Sequence, residues 1–399
     1  MSAVREFDVV IIGGGLVGAS LALALSGGRH RVALLEAAVP PGGAPSWDER
    51  CIALNAASQA IFSALGAWGD LAPAAEPILS THISERGRFG VARFTAAEAG
   101  LPALGYNIPV RHLGATLWRL AQGTAAELLC PARLSGLRLQ GEGAELEMEG
   151  GARLSARLVV AADGAHSAVR AMLGIGHESR DYEQSAIVTA VRPARPHQGC
   201  AYERFTPDGP IALLPKPDGA CSLVWTVPTR QAGAMLAWSE AEFLSAAEDT
   251  FGERLGRFRV LGRRNAHPLS RVLSERLTLP RVLFAGNAAQ SLHPVAAQGF
   301  NLGLRDVAAI AEALQDATDP GAATLLRDYE NARQADRERV AQFTDRLVRT
   351  FSNRLPGFAA LRHLGLLAMD LTPPLKQAVM WQNLGYGHAP RMARGEERR

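Results

Sequence analysis

Residues Phe7–Glu36 read FDVVIIGGGLVGASLALALSGGRHRVALLE, and the fold is read outward from them. Asp8–Ile12 is a short, β-branched apolar run, the composition of a strand buried on both faces. Gly13, Gly15 and Gly18 then complete a G-x-G-x-x-G, and the helix-forming run Ala19–Leu25 follows. Gly13 permits the tight turn, Gly15 lets backbone approach a pyrophosphate, and Gly18 lets helix pack closely on strand. A second apolar run, Val32–Leu35, ends in Glu36, where an acid would accept hydrogen bonds from a ribose hydroxyl. The start of the helix offers unpaired N–H groups and a positive dipole end to the phosphates. Strand, glycine turn, helix and acid at this spacing predict dinucleotide binding. The acid favours an unphosphorylated ribose, so FAD or NAD rather than NADP.

The 399 residues are enough for two domains with sizeable cores. Apolar residues make up 47% and charged ones 20%, so an ordinary globular protein is expected. A formal charge of +3 is too small to argue for nucleic acid, and the arginines are dispersed apart from the tail, Arg391–Arg399. Cys51, Cys130, Cys200 and Cys221 show neither C-x-x-C nor metal-ligand spacing, which predicts reduced thiols, a cytoplasmic chain and no metal site. No secretory leader is read at the N-terminus, and no apolar run is long enough to span a bilayer.

Beyond Glu36 the chain passes a Pro/Gly loop (Pro40–Pro45) and Trp47-Asp48-Glu49-Arg50, and Ile52–Leu65 reads as a helix. Arg50 follows the second strand, from where it can reach back to a pyrophosphate, with a solvated surface arginine as the equal alternative. Ile78–Phe94 alternates like a strand pair, and Val110–Ala121 is an amphipathic helix candidate with Arg111 near its start. Leu137–Val160 predicts a small antiparallel insertion closing into a buried strand. Asp163-Gly164 comes next, which puts polar groups at the sheet edge where ligands sit in open α/β folds. Between Ala186 and Pro228 two Pro-Asp-Gly turns bracket strands of a second, antiparallel sheet, and Trp238–Phe251 reads as a helix. Arg281–Ala285 returns to buried-strand character, and a long helix is expected to end near Leu314. Ala322–Arg354 is helix-rich, and an apolar segment, Phe358–Trp381, is broken at Thr372-Pro373-Pro374.

Three segments together resemble one family, the single-component FAD-dependent aromatic monooxygenases that include p-hydroxybenzoate hydroxylase. Gly13–Gly18 matches the ADP-binding fingerprint, and Asp163–Arg170 matches D-G-x-x-S-x-V-R. Gly286–Gly303 stands where the family has G-D-A-A-H…P…G-x-N, with Asn287 and Gln290 replacing the usual Asp and His. That variant, with His82–Gly87, Glu203–Thr206 and Cys221–Trp225, is similar to the branch acting on 2-polyprenyl-6-methoxyphenol in bacterial ubiquinone synthesis. The resemblance implies an α/β fold: a Rossmann-like FAD-binding domain, an antiparallel-sheet substrate domain and a helical C-terminal region. The expected division gives residues 1–75, 101–180 and 271–320 to FAD, 76–100 and 181–270 to the substrate domain, and 321–399 to the C-terminal region.

The resemblance also implies roles. Glu36 is expected at the adenosine ribose, Arg50 at the pyrophosphate, Asp163 and Gly164 along the extended FAD, and Arg111 among the cofactor contacts. Asn287 takes the position beside the ribityl chain and phosphates, and Pro294 lies against the isoalloxazine. Gly299, Phe300 and Asn301 offer backbone N–H groups to the flavin's N1–O2 edge; a helix N-cap is the alternative reading of Asn301, and the two are compatible. The implied reaction uses O2, a flavin C4a-hydroperoxide and electrons from NAD(P)H or a separate reductase to hydroxylate a polyprenyl-phenol para to its hydroxyl. Rival readings are attack at another ring position, a small aromatic acid as substrate, or a non-oxygenating flavoprotein reductase. No general base is assigned; His293 is a candidate by location, with a structural histidine the stronger reading. Ile211–Leu214, Leu223–Val227 and Phe358–Leu371 offer an apolar route for the prenyl tail, with ordinary core packing the alternative for any single residue. Phe358–Met369 allows contact with other ubiquinone-pathway proteins or peripheral contact with the inner membrane.

Overall fold

The apolar run after Arg5 forms a strand, Arg5–Ile12, that lies in the middle of an eight-stranded sheet in the computed structural model. The structure describes residues 4–39, 50–260, 262–351, 365, 368–387 and 390–394. The Pro40–Pro45 loop, Trp47–Glu49, most of Phe358–Met369 and the end of the basic tail lie outside the described residues.

In the first sheet Val282–Phe284, Arg153–Ala161, Arg5–Ile12, Val32–Leu35 and Glu127–Leu129 run parallel in that spatial order. Both faces are covered, so the strands read as unbroken apolar runs: Val9 through Ile11 and Val32 through Leu35 are all buried. The helices Leu16–Leu25 and Gln298–Leu314 pack against each other on it. Leu134–Gln140 and Gly143–Met148 form the antiparallel insertion, joined to Arg153–Ala161. Each fully buried large side chain of this core, such as Phe62, Phe284 or Ile11, contributes about 1.5–3 kcal/mol by leaving water.

The second sheet has nine strands, and its core path ends with Cys221–Pro228, Ile211–Pro215, Cys200–Phe205, Ser80–Glu85 and Val91–Thr95. All of its pairings are antiparallel except Cys200–Phe205 with Ser80–Glu85. One face buries Ile187, Leu213, Leu223 and Trp225 against the helices Thr229–Ala237 and Glu240–Phe251. Ala212, Leu214 and Val224 of the other face line a cavity together with Gly15, Gly164 and Asn287, which follow strands of the first sheet. The long helix Ala323–Phe351 packs on Gln298–Leu314.

Two elements differ from the sequence reading. Cys51–Asn55 is a strand, paired antiparallel with Gly105–Pro109, and the helix starts only at Ala56. The Asn55 side chain accepts from Ser58 N–H at 2.9 Å, an N-cap that fixes the boundary and that apolar periodicity does not reveal. Trp238 ends one helix, and Ser239 opens the next through a capping box with Glu242, so Trp238–Phe251 is not one helix from its first residue.

Candidate active site

The glycine turn is built by close approaches. Gly13 has φ +102°, and a Cβ there would stand 2.5 Å from the Ala162 carbonyl oxygen. A Cβ on Gly18 would stand 1.8 Å from the Gly13 carbonyl oxygen, so only glycine lets this helix meet its strand. Gly15 is different: it is the helix N-cap, and nothing lies within 4 Å of an added Cβ. That open side faces a cavity. Glu36 is half-buried, and its carboxylate accepts from Gly14 N–H at 2.7 Å and Ala38 N–H at 2.8 Å. Each oxygen keeps a lone pair for a further donor.

Asp163-Gly164 follows the strand Arg153–Ala161 at its carboxyl end. One Asp163 oxygen accepts from Val169 N–H at 3.1 Å; the other is buried and has no partner in the protein. Ser167 caps the short helix that follows, and Arg170, 4% exposed, donates to the carbonyls of Ala165 and Ala288 at 2.6 and 2.9 Å. The D-G-x-x-S-x-V-R segment therefore also splints the third motif.

The third motif rests on a buried ion network. Gln290 donates to Asp306 Oδ2 at 2.6 Å, and the same oxygen accepts from Gly286 N–H at 3.0 Å. Asp306 Oδ1 takes Arg333 Nε at 2.7 Å. Arg333 and Arg305 both bond Asp336, at 2.7 and 2.8 Å. All four charged side chains are 6% exposed or less. Burial pulls the Arg333 guanidinium down, but Asp306 and Asp336 more than reverse that and hold it charged. Burial pushes the Asp336 carboxyl up, and Arg305 and Arg333 bring it below the usual range. The Gln290 amide and the Gly286 N–H thus fix the loop to this network.

Asn301 lies in the first turn of the helix Gln298–Leu314, whose N-cap is Ala297 in the left-handed region at φ +50°. Its Oδ1 accepts from Asn55 N–H at 3.0 Å and Ser58 Oγ–H at 2.7 Å, and its Nδ2 donates to Ala53 and Ala297 carbonyls. The N-cap reading of Asn301 does not hold: its side chain sews this helix start to the Asn55 cap. The first N–H groups of the helix, at Gly299 and Phe300, have no intrahelical acceptor.

These pieces meet around one cavity of about 760 Å³. Gly15, Arg50, Gly164, Asn287, Pro294, Gly299, Phe300 and Asn301 line one side of it, and the second sheet lines the other. Gly13, Gly18, Glu36 and Asp163 stand behind or beside that lining. Arg111 is exposed on the first turn of Val110–Gln122 and does not line the cavity. His293 is 1% exposed and also absent from the lining; its Nδ1 accepts from Val295 N–H at 3.1 Å. Burial lowers its pKa to about 4, so it stays neutral, as a structural histidine would. Sequence reasoning quoted Glu203 only as part of a resemblance, yet it is the one carboxylate on the lining among the described residues. No His, Cys, Asp or Glu cluster among the described residues could hold a metal ion.

The residues fit FAD. Two helix N-termini, at Gly15 and Ala297, border the cavity, and Gly15, Gly164 and Gly299 have open space where a side chain would stand. An orphaned Asp163 oxygen lies beside Gly164. Asn287 is exposed on the same wall, which makes a direct prediction. Asn287→Asp is expected to keep FAD. Asn287→Leu, which faces ribityl and phosphate groups with no polar partner, is expected to weaken it by about 1–3 kcal/mol, roughly 5- to 150-fold in Kd. Titration of apoprotein with FAD reads both; unchanged Kd in the Leu variant places this loop away from the flavin.

Comparison with known proteins identifies the family. The FAD-binding domain family model matches residues 6–344. A ubiquinone hydroxylase, UbiL, of Rhodospirillum rubrum is 39% identical over 404 residues, covering 99% of this chain and 94% of that protein. The 3-demethoxyubiquinol 3-hydroxylase of Escherichia coli is 34% identical over 386 residues, 95% of this chain and 98% of that one. Among solved structures, p-nitrophenol 4-monooxygenase PnpA from Pseudomonas putida DLL-E4 superposes with a TM-score of 0.79 at 20% identity, covering 95% of this chain and 98% of that one. The chain is an FAD-dependent monooxygenase and belongs to the FAD-binding family that includes the ubiquinone hydroxylases.

Proposed function

We propose that this enzyme hydroxylates a polyprenylated methoxyphenol ring in ubiquinone biosynthesis, at the carbon para to the hydroxyl. The observation that carries the reading is the cavity, where the loop Pro294–Phe300 meets an apolar sheet face formed by Ile83, Ala212, Leu214, Val224 and Leu269. Relatives named for ubiquinone hydroxylation support the pathway. When bound, FAD supplies the oxygen chemistry, with electrons from NAD(P)H or a separate reductase.

The chain's own residues bind, orient and exclude water. Glu36 holds the adenosine ribose, Arg50 the pyrophosphate, and Asp163, Gly164 and Asn287 the extended middle of FAD. Pro294 would hold the flavin ring, and the N–H groups of Gly299, Phe300 and Asn301 would stabilise negative charge on it. The apolar sheet face takes the substrate ring and the start of its tail. Met380 and Leu384, from the helix Pro373–Leu384, line the same cavity, and Leu371, Leu375 and Trp381 around that helix are exposed. Those exposed side chains support peripheral contact with a membrane or a pathway partner. No helix among the described residues is long and apolar enough to cross a membrane.

A phenol directs electrophilic oxygen ortho and para, and the prenyl and methoxy groups occupy both ortho carbons of this substrate. The para carbon is what remains. Deleting the gene is therefore expected to make cells accumulate 2-polyprenyl-6-methoxyphenol and stop making ubiquinone. A second reading, hydroxylation at another ring position, is favoured by the name of the E. coli relative. Accumulation of a benzoquinol already oxidised at the para carbon selects that second reading.

A further inference from the structure

The strand Cys200–Phe205 carries a carboxylate into the apolar sheet wall of the cavity. In register, Glu203 lies between Ile83 and Ala212, both uncharged and both on the cavity lining. Its neighbour Tyr202 points to the opposite face, where its ring meets Phe251 edge-on at 5.6 Å and His82 at 5.6 Å. Alternation along the strand then turns Glu203 inward. The residue keeps part of its surface accessible, and that surface opens into the cavity. Burial alone pushes its carboxyl up to about 7, with no ion pair or hydrogen bond among the causes. A structural carboxylate would have a partner. An acid held unpaired in an apolar pocket is costly to the fold, which points to a ligand group that completes it.

We infer that Glu203 receives the phenolic hydroxyl of the substrate, accepting first its hydrogen bond and then its proton. The inference deepens the proposed phenol hydroxylation and rests on that reading. In the proton step the phenol O–H bond breaks and its electron pair stays on the phenol oxygen. The proton bonds to a Glu203 carboxylate oxygen. The phenolate left behind is the more electron-rich ring, the form an electrophilic oxygen attacks faster. The other titratable residues on the cavity lining are Arg50, Cys51 and His267, with Tyr202 at the strand itself, its ring turned to Phe251 and His82 on the opposite face. Tyr202, pushed up to about 12 by burial first of all, stays protonated through the neutral range.

The test uses the FAD-loaded enzyme with 2-allyl-6-methoxyphenol and its methyl ether, binding being followed by the change in flavin absorbance between pH 6 and pH 8. A phenol with an ordinary pKa near about 10 stays protonated there, while Glu203 goes from mostly protonated to mostly ionised. Wild-type affinity for the phenol is expected to rise with pH by about tenfold, half-complete near pH 7. The ether, with no proton to donate, is expected to bind more weakly and without that rise. Glu203→Gln is expected to bind the phenol at the wild type's low-pH affinity across the range, and Glu203→Asp to keep a rise. The same rise in Glu203→Gln, equal affinity for phenol and ether, or no binding of the phenol by the wild type overturns the inference. A deletion phenotype that moves the reaction to another ring carbon leaves this result standing, because the probe reads phenol recognition alone.

Discussion

Asp306→Ala is expected to cost about 3–5 kcal/mol of stability and to weaken FAD binding with it, the usual result of leaving one half of a buried ion pair behind. Three donors converge on this side chain: Gly286 N–H, Gln290 Nε2 and Arg333 Nε. Removing it strands all three where water does not reach. The remaining charges are then two arginines, Arg305 and Arg333, on the single carboxylate of Asp336. The effect reaches the cofactor because Gly286 begins the turn that carries Asn287 to the cavity wall. Asp306→Asn keeps an acceptor and the side-chain shape, so it is expected to fall between wild type and the Ala variant. Denaturant titration followed by circular dichroism, with parallel FAD titration, reads both quantities. An Ala variant within about 1 kcal/mol of wild type would show that the network contributes little beyond its own desolvation.

The network also marks the limit of what the sequence discloses. Arg333, Asp336 and Arg337 sit in a helix, Ala323–Phe351, crowded with charges, which reads as a solvated element. Yet these three are buried, on one stripe with Leu326, Tyr329, Val340 and Ala341. Arg305 and Asp306, the partners of Asp336 and Arg333, lie roughly thirty residues earlier on another helix, and no local periodicity couples such positions. Glu203 was hidden for a related reason. Cys200-Ala-Tyr-Glu-Arg-Phe205 alternates without a clean apolar face, since one face meets helices and the other a cavity. By contrast, the nucleotide turn is legible because its strand, glycines, helix and acid lie in one contiguous stretch, Phe7–Glu36. The parallel strands were legible because burial on both faces leaves unbroken apolar runs. The start of the expected helix, Ile52–Asn55, is strand instead because its β character comes from pairing with Gly105–Ile108, far away in sequence.

Gly15→Ala and Gly18→Ala, three residues apart in one turn, are expected to fail in opposite ways. Gly18 meets the Gly13 carbonyl so closely that any Cβ must push strand and helix apart. The obstructing atom is backbone, not the far end of a flexible side chain, so relief needs the turn itself to move. The expected loss is at the upper end of overpacking, about 3 kcal/mol or more, seen as a lower melting temperature even without FAD. Gly15 has φ −65°, which alanine adopts freely, and its Cβ would enter open space on the cavity side. Losing a glycine N-cap costs under about 1 kcal/mol, so the apoprotein should melt close to wild type. The added methyl instead occupies the surface where the pyrophosphate must touch backbone N–H groups, so FAD affinity is expected to fall at least about tenfold, or 1.4 kcal/mol. Melting of the apoproteins and FAD titration separate the two effects. Normal FAD affinity in Gly15→Ala would move the pyrophosphate away from this turn, and a fully stable Gly18→Ala would mean that strand and helix can part without cost.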